Sequence, residues 1–406
     1  MAEIALIACA KTKIDRAAPA AALYASALFR KSLLAALDRT RRVYILSAEH
    51  GLIDLQTDLI PYERTLKTMH QSERRAWGQS VVAKVEQIAR PKDLVLLYAG
   101  EDYAKPLRSA LWDRGYVIEH PLGARSLGAR LQYLRHLNGE AEVEALLLRF
   151  DALIRLLSHH QKRGRRLAGS SGRQDWPTRG IYLVTEPVGN GGRDRVTRVG
   201  THAVSAGSRT TLWNRISTHR GGLAGGGSHR SSIFRAHIGR ALMRRHPDAG
   251  APGTWGVGQS AGPEIRQPEH VWEELVSRAI GDMRMLWLDI PDSAGPRSDR
   301  AYLERNIIGL LSRATLAGAR SMPDRQWLGH DSTDWRIAIS GLWNLDYLFD
   351  RPDTRFLDVL EVYVHAMVGT GAIPQESLAP REWGEPPKGA RTTQLGLFDS
   401  RDGLTI

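Results

Sequence analysis

The sequence predicts an α/β protein in two parts: an N-terminal α/β domain with a mainly parallel sheet, then an α+β domain built on an antiparallel hairpin and many helices. Three observations carry this. Short β-rich runs alternate with helical patterns over residues 1–137, as in a parallel sheet covered by helices. A glycine-rich turn at Gly189-Asn190-Gly191-Gly192 joins two β-like runs. Helical patterns dominate the chain beyond that hairpin. A chain of 406 residues has room for two or three domains.

In the first part the β runs are Ile4–Cys9, Val43–Ser47 and Leu94–Ala99, with helical patterns at Leu23–Leu37 and Ser72–Ile88 between them. A polar cluster follows each run: Cys9 to Lys13, then Ser47 to Leu52 (SAEHGL), then Gly100 to Tyr103. Residues beyond the carboxyl ends of parallel strands converge in one crevice, the usual ligand site of an open α/β sheet. Lys11, Lys13, Glu49, His50, Asp102 and Tyr103 would line it. Neither a dinucleotide glycine fingerprint nor a phosphate loop is present. Cys9, closing an apolar strand, reads as a small buried residue and not a nucleophile.

Residues 139–160 read as one amphipathic helix, with Val143, Leu146, Leu147, Phe150, Leu153, Ile154 and Leu157 on its apolar face. Gln161–Trp176 is basic, rich in Gly and Ser and without apolar period, so 138–176 is expected to be a helix and linker. The second domain, 177–381, opens with the runs GIYLVTEP and RVTRVGTHAV around the glycine turn. Helical patterns occur at 210–219, 231–245, 269–280, 299–316 and 354–368. Eight of the 11 Trp fall between 176 and 343, enough for a separate core. From 382 to 406 the chain turns polar and is expected to be a flexible tail.

If the turn is centred near residue 191, Tyr182 pairs with Gly200, leaving Arg198 and His202 as same-face neighbours. The following helix can be N-capped by Ser208, Thr210 or Thr211. Arg215 and His219, four apart, share its polar face. A guanidinium to clamp a phosphate and a titratable group to move a proton suit phosphodiester cleavage. Glu304 lies on or beside the apolar stripe of 298–314. A carboxylate there suits a hard divalent cation such as Mg2+, or an ion pair with Arg300 or Arg305.

Gly180-Ile181-Tyr182, Arg198-Val199-Gly200, Arg215, His219 and Glu304 together resemble a divergent GIY-YIG endonuclease over roughly 177–350. The resemblance implies a three-stranded small antiparallel sheet flanked by helices and DNA hydrolysis with one divalent metal. It makes Tyr182 and Gly200 the tyrosine and final glycine of the two motifs. It makes Arg215 the helical arginine, Glu304 the metal ligand and Asn344 the late asparagine. Two departures stand out: Arg198 replaces the tyrosine of the second motif, and a long insertion separates Arg220 from Glu304. With that tyrosine missing, the general base is open, and His202 and His219 join the catalytic candidates. The order CAKTK, ALYASALF, SAEHGL, PYERTL and AGEDY over 1–137 resembles an uncharacterised bacterial α/β family, and distantly a uracil-DNA-glycosylase-like domain, which implies a pocket for a flipped base.

Lys+Arg exceed Asp+Glu by 56 to 44. The excess is local: residues 151–250 hold 18 basic and 5 acidic residues, or +13, which marks a polyanionic partner. Arg198 and the basic helix around Arg230, Arg235 and Arg240 are candidates for DNA-backbone contact; the alternative for the helix is an amphipathic one packed through Ile233, Phe234, Ile238 and Leu242. One cysteine excludes a disulfide framework, and no signal peptide or membrane span is seen, so a soluble, cytoplasmic protein is expected. Gln394, Leu395, Leu397 and Phe398 in the tail resemble the pentapeptide that docks on the bacterial sliding clamp.

The expectation is a DNA-processing enzyme that cuts DNA with a divalent metal and recognises or excises an unusual base, in phage restriction or repair. Alternatives are a DNA-binding adaptor with a degenerate nuclease core and an RNA-modifying enzyme.

Overall fold

The computed structural model describes residues 2–187, 194–222, 225–380 and 383. Its contacts divide the chain into two units: one of 2–145 with 311–322 and 333–340, the other of 146–310, 323–332 and the segment from 341 onward. No helix among the described residues is long and apolar enough to cross a membrane. The glycine turn at 189–192 and the pentapeptide at 394–398 lie outside the described residues.

The first unit is built on strands β1 (Glu3–Ala8), β2 (Val43–Ser47), β3 (Gly51–Asp54), β4 (Leu94–Tyr98) and β5 (Val117–Glu119), in the order β3-β2-β1-β4-β5. Pairing is parallel except between β2 and β3. Ile4, Ala5, Leu6 and Ile7 are all fully buried, which explains why β1 reads as a continuous apolar run without alternation. Helices α1 (Ala27–Arg39), α2 (Gln71–Ile88) and α3 (Glu101–Trp112) complete the layers. Val81, Val85, Leu107 and Leu111 of α2 and α3 share one core with Ile4, Leu6, Val95 and Leu97. α1 packs on the same strands without joining that core, and so covers the opposite face. Ser26 starts α1 by accepting a hydrogen bond from Phe29 N at 3.2 Å.

The mainly parallel sheet is as expected. The antiparallel edge β3 is an addition with a local cause. Ser47 Oγ accepts from the backbone N of Glu49 and of His50, at 3.2 and 2.9 Å, which bends the chain back at once.

The second unit holds α4 (Glu140–His160) over most of its length and a four-stranded sheet. The strands are β6 (Arg165–Arg166), β7 (Gly180–Pro187), β8 (Asp194–Gly200) and β9 (Arg284–Asp289), in the order β8-β7-β9-β6 with antiparallel pairing throughout. β6 arises within the stretch read as linker: Arg165 and Arg166 pair with Met285 and Arg284. Trp176 from the same stretch stacks on Trp213 at 5.7 Å between ring centroids. The same unit holds α5 (Leu212–Arg220), α6 (Ile233–Arg245), α7 (Pro263–Asp282), α8 (Asp299–Ala317) as far as Leu310, and α9 (Phe356–Met367). Thr211 caps α5 in a reciprocal box with Asn214, at 3.2 and 2.9 Å.

Candidate active site

Register creates the site. Gly200 of β8 lies opposite Tyr182 of β7, and Arg198, two residues earlier, opposite Val184, so Tyr182, Val184, Arg198 and Gly200 share one face of the sheet. The Tyr182 ring lies across Gly200: a Cβ there would come within 2.2 Å of the ring carbon Cζ and of the hydroxyl. Only glycine leaves the tyrosine room. Leu212 and Ile216 of α5 are fully buried and turn the next face of that helix, with Arg215 and His219, toward the sheet.

Tyr182 is fully buried, and its hydroxyl is 2.8 Å from His219 Nε2. His219 Nδ1 is 2.8 Å from Ser232 Oγ, the residue that N-caps α6. Burial, followed by the charges of Arg198, Arg215 and Arg235, holds His219 well below its ordinary pKa, so it stands neutral. Thr201 N donates to Glu304 Oε1 at 3.2 Å. Burial pushes the Glu304 carboxyl up to about 7, against the pull of Arg198 and Arg215 and with a smaller push from Asp346. Arg300 and Arg305 pair instead with Asp292 and Asp350, so neither holds Glu304 in an ion pair. The Arg215 guanidinium feels Glu304 but donates no hydrogen bond to a described residue.

Arg198 is 7 % exposed, donates through Nη1 to the Trp343 carbonyl at 2.8 Å and lies 4.8 Å from the centroid of the Phe234 ring. His202 is buried just past β8, with Nε2 donating to the Thr178 carbonyl at 3.2 Å. Burial and then Arg300 lower its pKa to about 4. Asn344 is held on strand β8: its Oδ1 accepts from Val199 N at 3.1 Å and its Nδ2 donates to Val199 O at 2.8 Å. Both polar atoms are thus spent on the outer edge of β8.

No group of three or more His, Cys, Asp or Glu with metal-binding geometry occurs among the described residues. The donor set still suits a hard cation. Glu304 is a single carboxylate with a second acid, Asp346, acting on it, so phosphate and water would supply the remaining oxygens.

The basic helix needs correction. Arg230 lies before α6 and pairs with Glu269 at 2.6 Å, while Arg235 is fully buried against Glu273 at 2.5 Å. Neither can lie along a DNA backbone, because each charge is already consumed inside the unit. Arg240 packs by Gly256. Phe234 and Ile238 are fully buried, as the amphipathic alternative requires.

In the first unit the strand order reverses at β1, so the carboxyl ends of β1 and β4 lie where an open α/β sheet usually binds its ligand. There Cys9 Sγ is 3.1 Å from Tyr103 OH. Tyr62 OH joins Tyr24 OH at 2.6 Å and Ser47 Oγ at 2.8 Å. Lys13 Nζ lies 4.3 Å from the Tyr62 ring centroid, and His50 meets that ring edge-on at 5.3 Å. Burial pushes the Tyr24, Tyr62 and Tyr103 phenols up, so they remain protonated donors. Lys13 and His50 therefore meet at Tyr62, while Tyr103 meets Cys9. Lys11 and Asp102 are exposed, and Glu49 faces Arg64 at 3.7 Å. Sequence reasoning missed Tyr24, Ser47 and Tyr62 as site residues, although ALYASALF, SAEHGL and PYERTL contain them.

No curated protein and no solved structure matches the chain. Residues 4–136 match a family of unknown function (DUF6884). Residues 142–369, more than half of the chain, match the GIY-YIG domain. On this match, and with Tyr182, Arg215, His219 and Glu304 gathered at one sheet face, the chain belongs to the GIY-YIG family.

Proposed function

We propose that the protein is a DNA endonuclease whose second unit hydrolyses phosphodiesters with Mg2+, and whose first unit recognises or excises an unusual base, in restriction of modified phage DNA or in repair. The family is one of nucleases that generally use divalent metals. The observation that carries the reading is the 2.8 Å hydrogen bond between Tyr182 OH and Nε2 of neutral His219, beside Arg215 and Glu304. With Nδ1–H donated to Ser232 Oγ, Nε2 holds the lone pair that receives the tyrosine proton. Tyr182 can then take a proton from an attacking water while passing its own to His219. Arg215 grips the phosphate. Glu304 would hold the cation, which when bound neutralises charge on the phosphoryl oxygens.

The aromatic, hydroxyl-rich crevice of the first unit supports base recognition, since a flipped base needs ring faces and hydrogen-bond donors together. The tail pentapeptide Gln394–Phe398 is proposed to dock on the sliding clamp.

The test is nicking of supercoiled plasmid by the full chain with and without Mg2+. Cleavage that needs the metal and is lost in Glu304→Ala and Arg215→Ala, with folding and DNA binding retained, is expected. Metal-independent cleavage, or full activity in either variant, would overturn the assignment, and binding without cleavage would favour the adaptor. Competition by tRNA separates DNA from RNA as substrate.

A further inference from the structure

Arg198 stands where the resemblance expects a tyrosine, and its surroundings differ from those of the other buried arginines of its unit. Arg230, Arg235 and Arg300 each face a carboxylate, Glu269, Glu273 and Asp292, at 2.6, 2.5 and 2.5 Å. Arg220 donates both Nε and Nη1 to carbonyls. Arg198, 7 % exposed, has no carboxylate partner among the described residues, and its one acceptor is the Trp343 carbonyl on Nη1. Its Nε is buried with no hydrogen-bond partner, and no described residue accepts from Nη2. A buried cation left so incompletely matched is strongly destabilising unless an anion completes it.

The free atoms are a pair. Nε and Nη2 form the edge of a guanidinium that meets an oxyanion with two parallel N–H donors. The opposite nitrogen is tethered to Trp343, and the cationic plane rests on Phe234, whose ring in turn meets that of His219 at 5.6 Å. The fork is therefore held in place before substrate arrives. The group lies on the sheet face of Tyr182, and its charge acts on Glu304 more strongly than any other cation does.

We propose that Arg198 is a second phosphate-binding residue of this site, gripping non-bridging oxygens of the scissile phosphodiester through Nε and Nη2 opposite the Arg215 clamp. The proposal rests on the nuclease reading for its substrate. The second motif thus contributes a cation in place of a hydroxyl, and the proton work falls to Tyr182 and His219.

Two readouts on the full-length protein test it. The first is inorganic phosphate binding, titrated by calorimetry at constant ionic strength. Arg198→Gln should weaken it at least tenfold with circular dichroism unchanged, and Arg198→Lys, which keeps the charge but not the fork, should recover it only in part. The second is plasmid cleavage, in which Arg198→Gln should lower kcat at least a hundredfold and change KM less. Phosphate affinity equal to wild type in Arg198→Gln would overturn the proposal, as would full cleavage. If the wild type binds phosphate but cuts no DNA, the nuclease reading fails and the titration alone decides Arg198. Should Arg198→Gln not fold, the 15N signal of Arg198 Nε, identified by its loss in Arg198→Lys, must shift when phosphate is added to the wild type; an unmoved signal refutes the contact.

Discussion

Tyr182 and His219 form a buried polar pair in which each completes the other. Removing the hydroxyl in Tyr182→Phe leaves the Nε2 acceptor buried without a donor, which costs about 1–3 kcal/mol. The same change removes the proposed proton relay, worth roughly 10²–10⁴ in rate for a positioned acid or base. Thermal unfolding and single-turnover cleavage of Tyr182→Phe check both halves. Retained activity with lowered stability would show that the pair only supports the fold. Glu304 yields a pH prediction. Its folded pKa of about 7 lies above the ordinary 4.5, so its contribution to stability is fully present below about 4.5 and is lost as pH rises through 7. At about 1.36 kcal/mol per unit, the metal-free protein loses roughly 3 kcal/mol across that window. Glu304→Gln should remove this dependence, so that with chelator at pH 8 the variant melts above the wild type, and adding Mg2+ should raise the wild type alone. Parallel melting curves of the two proteins against pH would contradict it.

Strand β8 is an edge, and an open edge is a row of unpaired backbone groups. The chain covers it with one short segment. Trp343 N donates to Thr197 O at 2.7 Å, and the Asn344 amide satisfies both the N–H and the C=O of Val199. The asparagine therefore acts as one rung of a missing strand and sets where Arg198 and Gly200 lie. Asn344→Leu should cost about 1–3 kcal/mol through two unpaired backbone groups and lower kcat by displacing Arg198. Asn344→Gln, with the same groups on a longer stem, should not rescue it. Gly200→Ala tests the same element from the other side, because its Cβ would collide with the Tyr182 ring. Overpacking of this kind costs about 1–3 kcal/mol, and the displaced ring should break the bond to His219. Circular dichroism and cleavage assays on the two substitutions read these outcomes, and a fully active Gly200→Ala would show that the ring has another place to go.

Charge is a property of the whole chain, and the structure changes how its excess should be counted. Within the basic stretch, Arg163, Arg165, Arg166, Arg230, Arg235 and Arg245 are paired with carboxylates. Those left to meet DNA include Arg173 and Arg209, both exposed, and Arg215. With ~6 phosphate contacts, log K should fall by about 5 per decade of salt, from about 0.9 per contact. A slope near 10 would mean that the internal ion pairs open on binding. The first unit adds a second expectation. In a Glu304→Ala background, Lys13→Ala with Tyr62→Phe should erase any preference for mismatched or modified duplex while leaving affinity for plain duplex unchanged, as measured by competition binding. A preference surviving that change would remove the crevice from base recognition.

By itself the sequence determined what short-range chemistry determines. The run Gly180–Pro187 had to be a strand, a helix had to start among Ser208, Thr210 and Thr211, and Arg215 and His219 four apart had to share a face, because pleat, cap and helical period are local rules. The pairing of Tyr182 with Gly200 follows from two strand-like runs adjacent in sequence, although the register along them shifts by one residue between Val196 and Arg198. Strand β9 was not legible, since its partner β7 lies about a hundred residues earlier and nothing local marks Met285–Leu288 as the neighbour of Tyr182. Tertiary structure alone decided which arginines are spent. Arg235 and Arg198 look alike in sequence as basic residues among apolar ones, yet Glu273 neutralises the first inside the unit and no described carboxylate meets the second. It likewise showed Asn344 to be a support for β8, and joined Tyr24, Ser47 and Tyr62 in one hydroxyl cluster. Ion pairing and burial depend on which distant segments meet, and that information is carried by the packing of the whole chain and not by any one stretch of it.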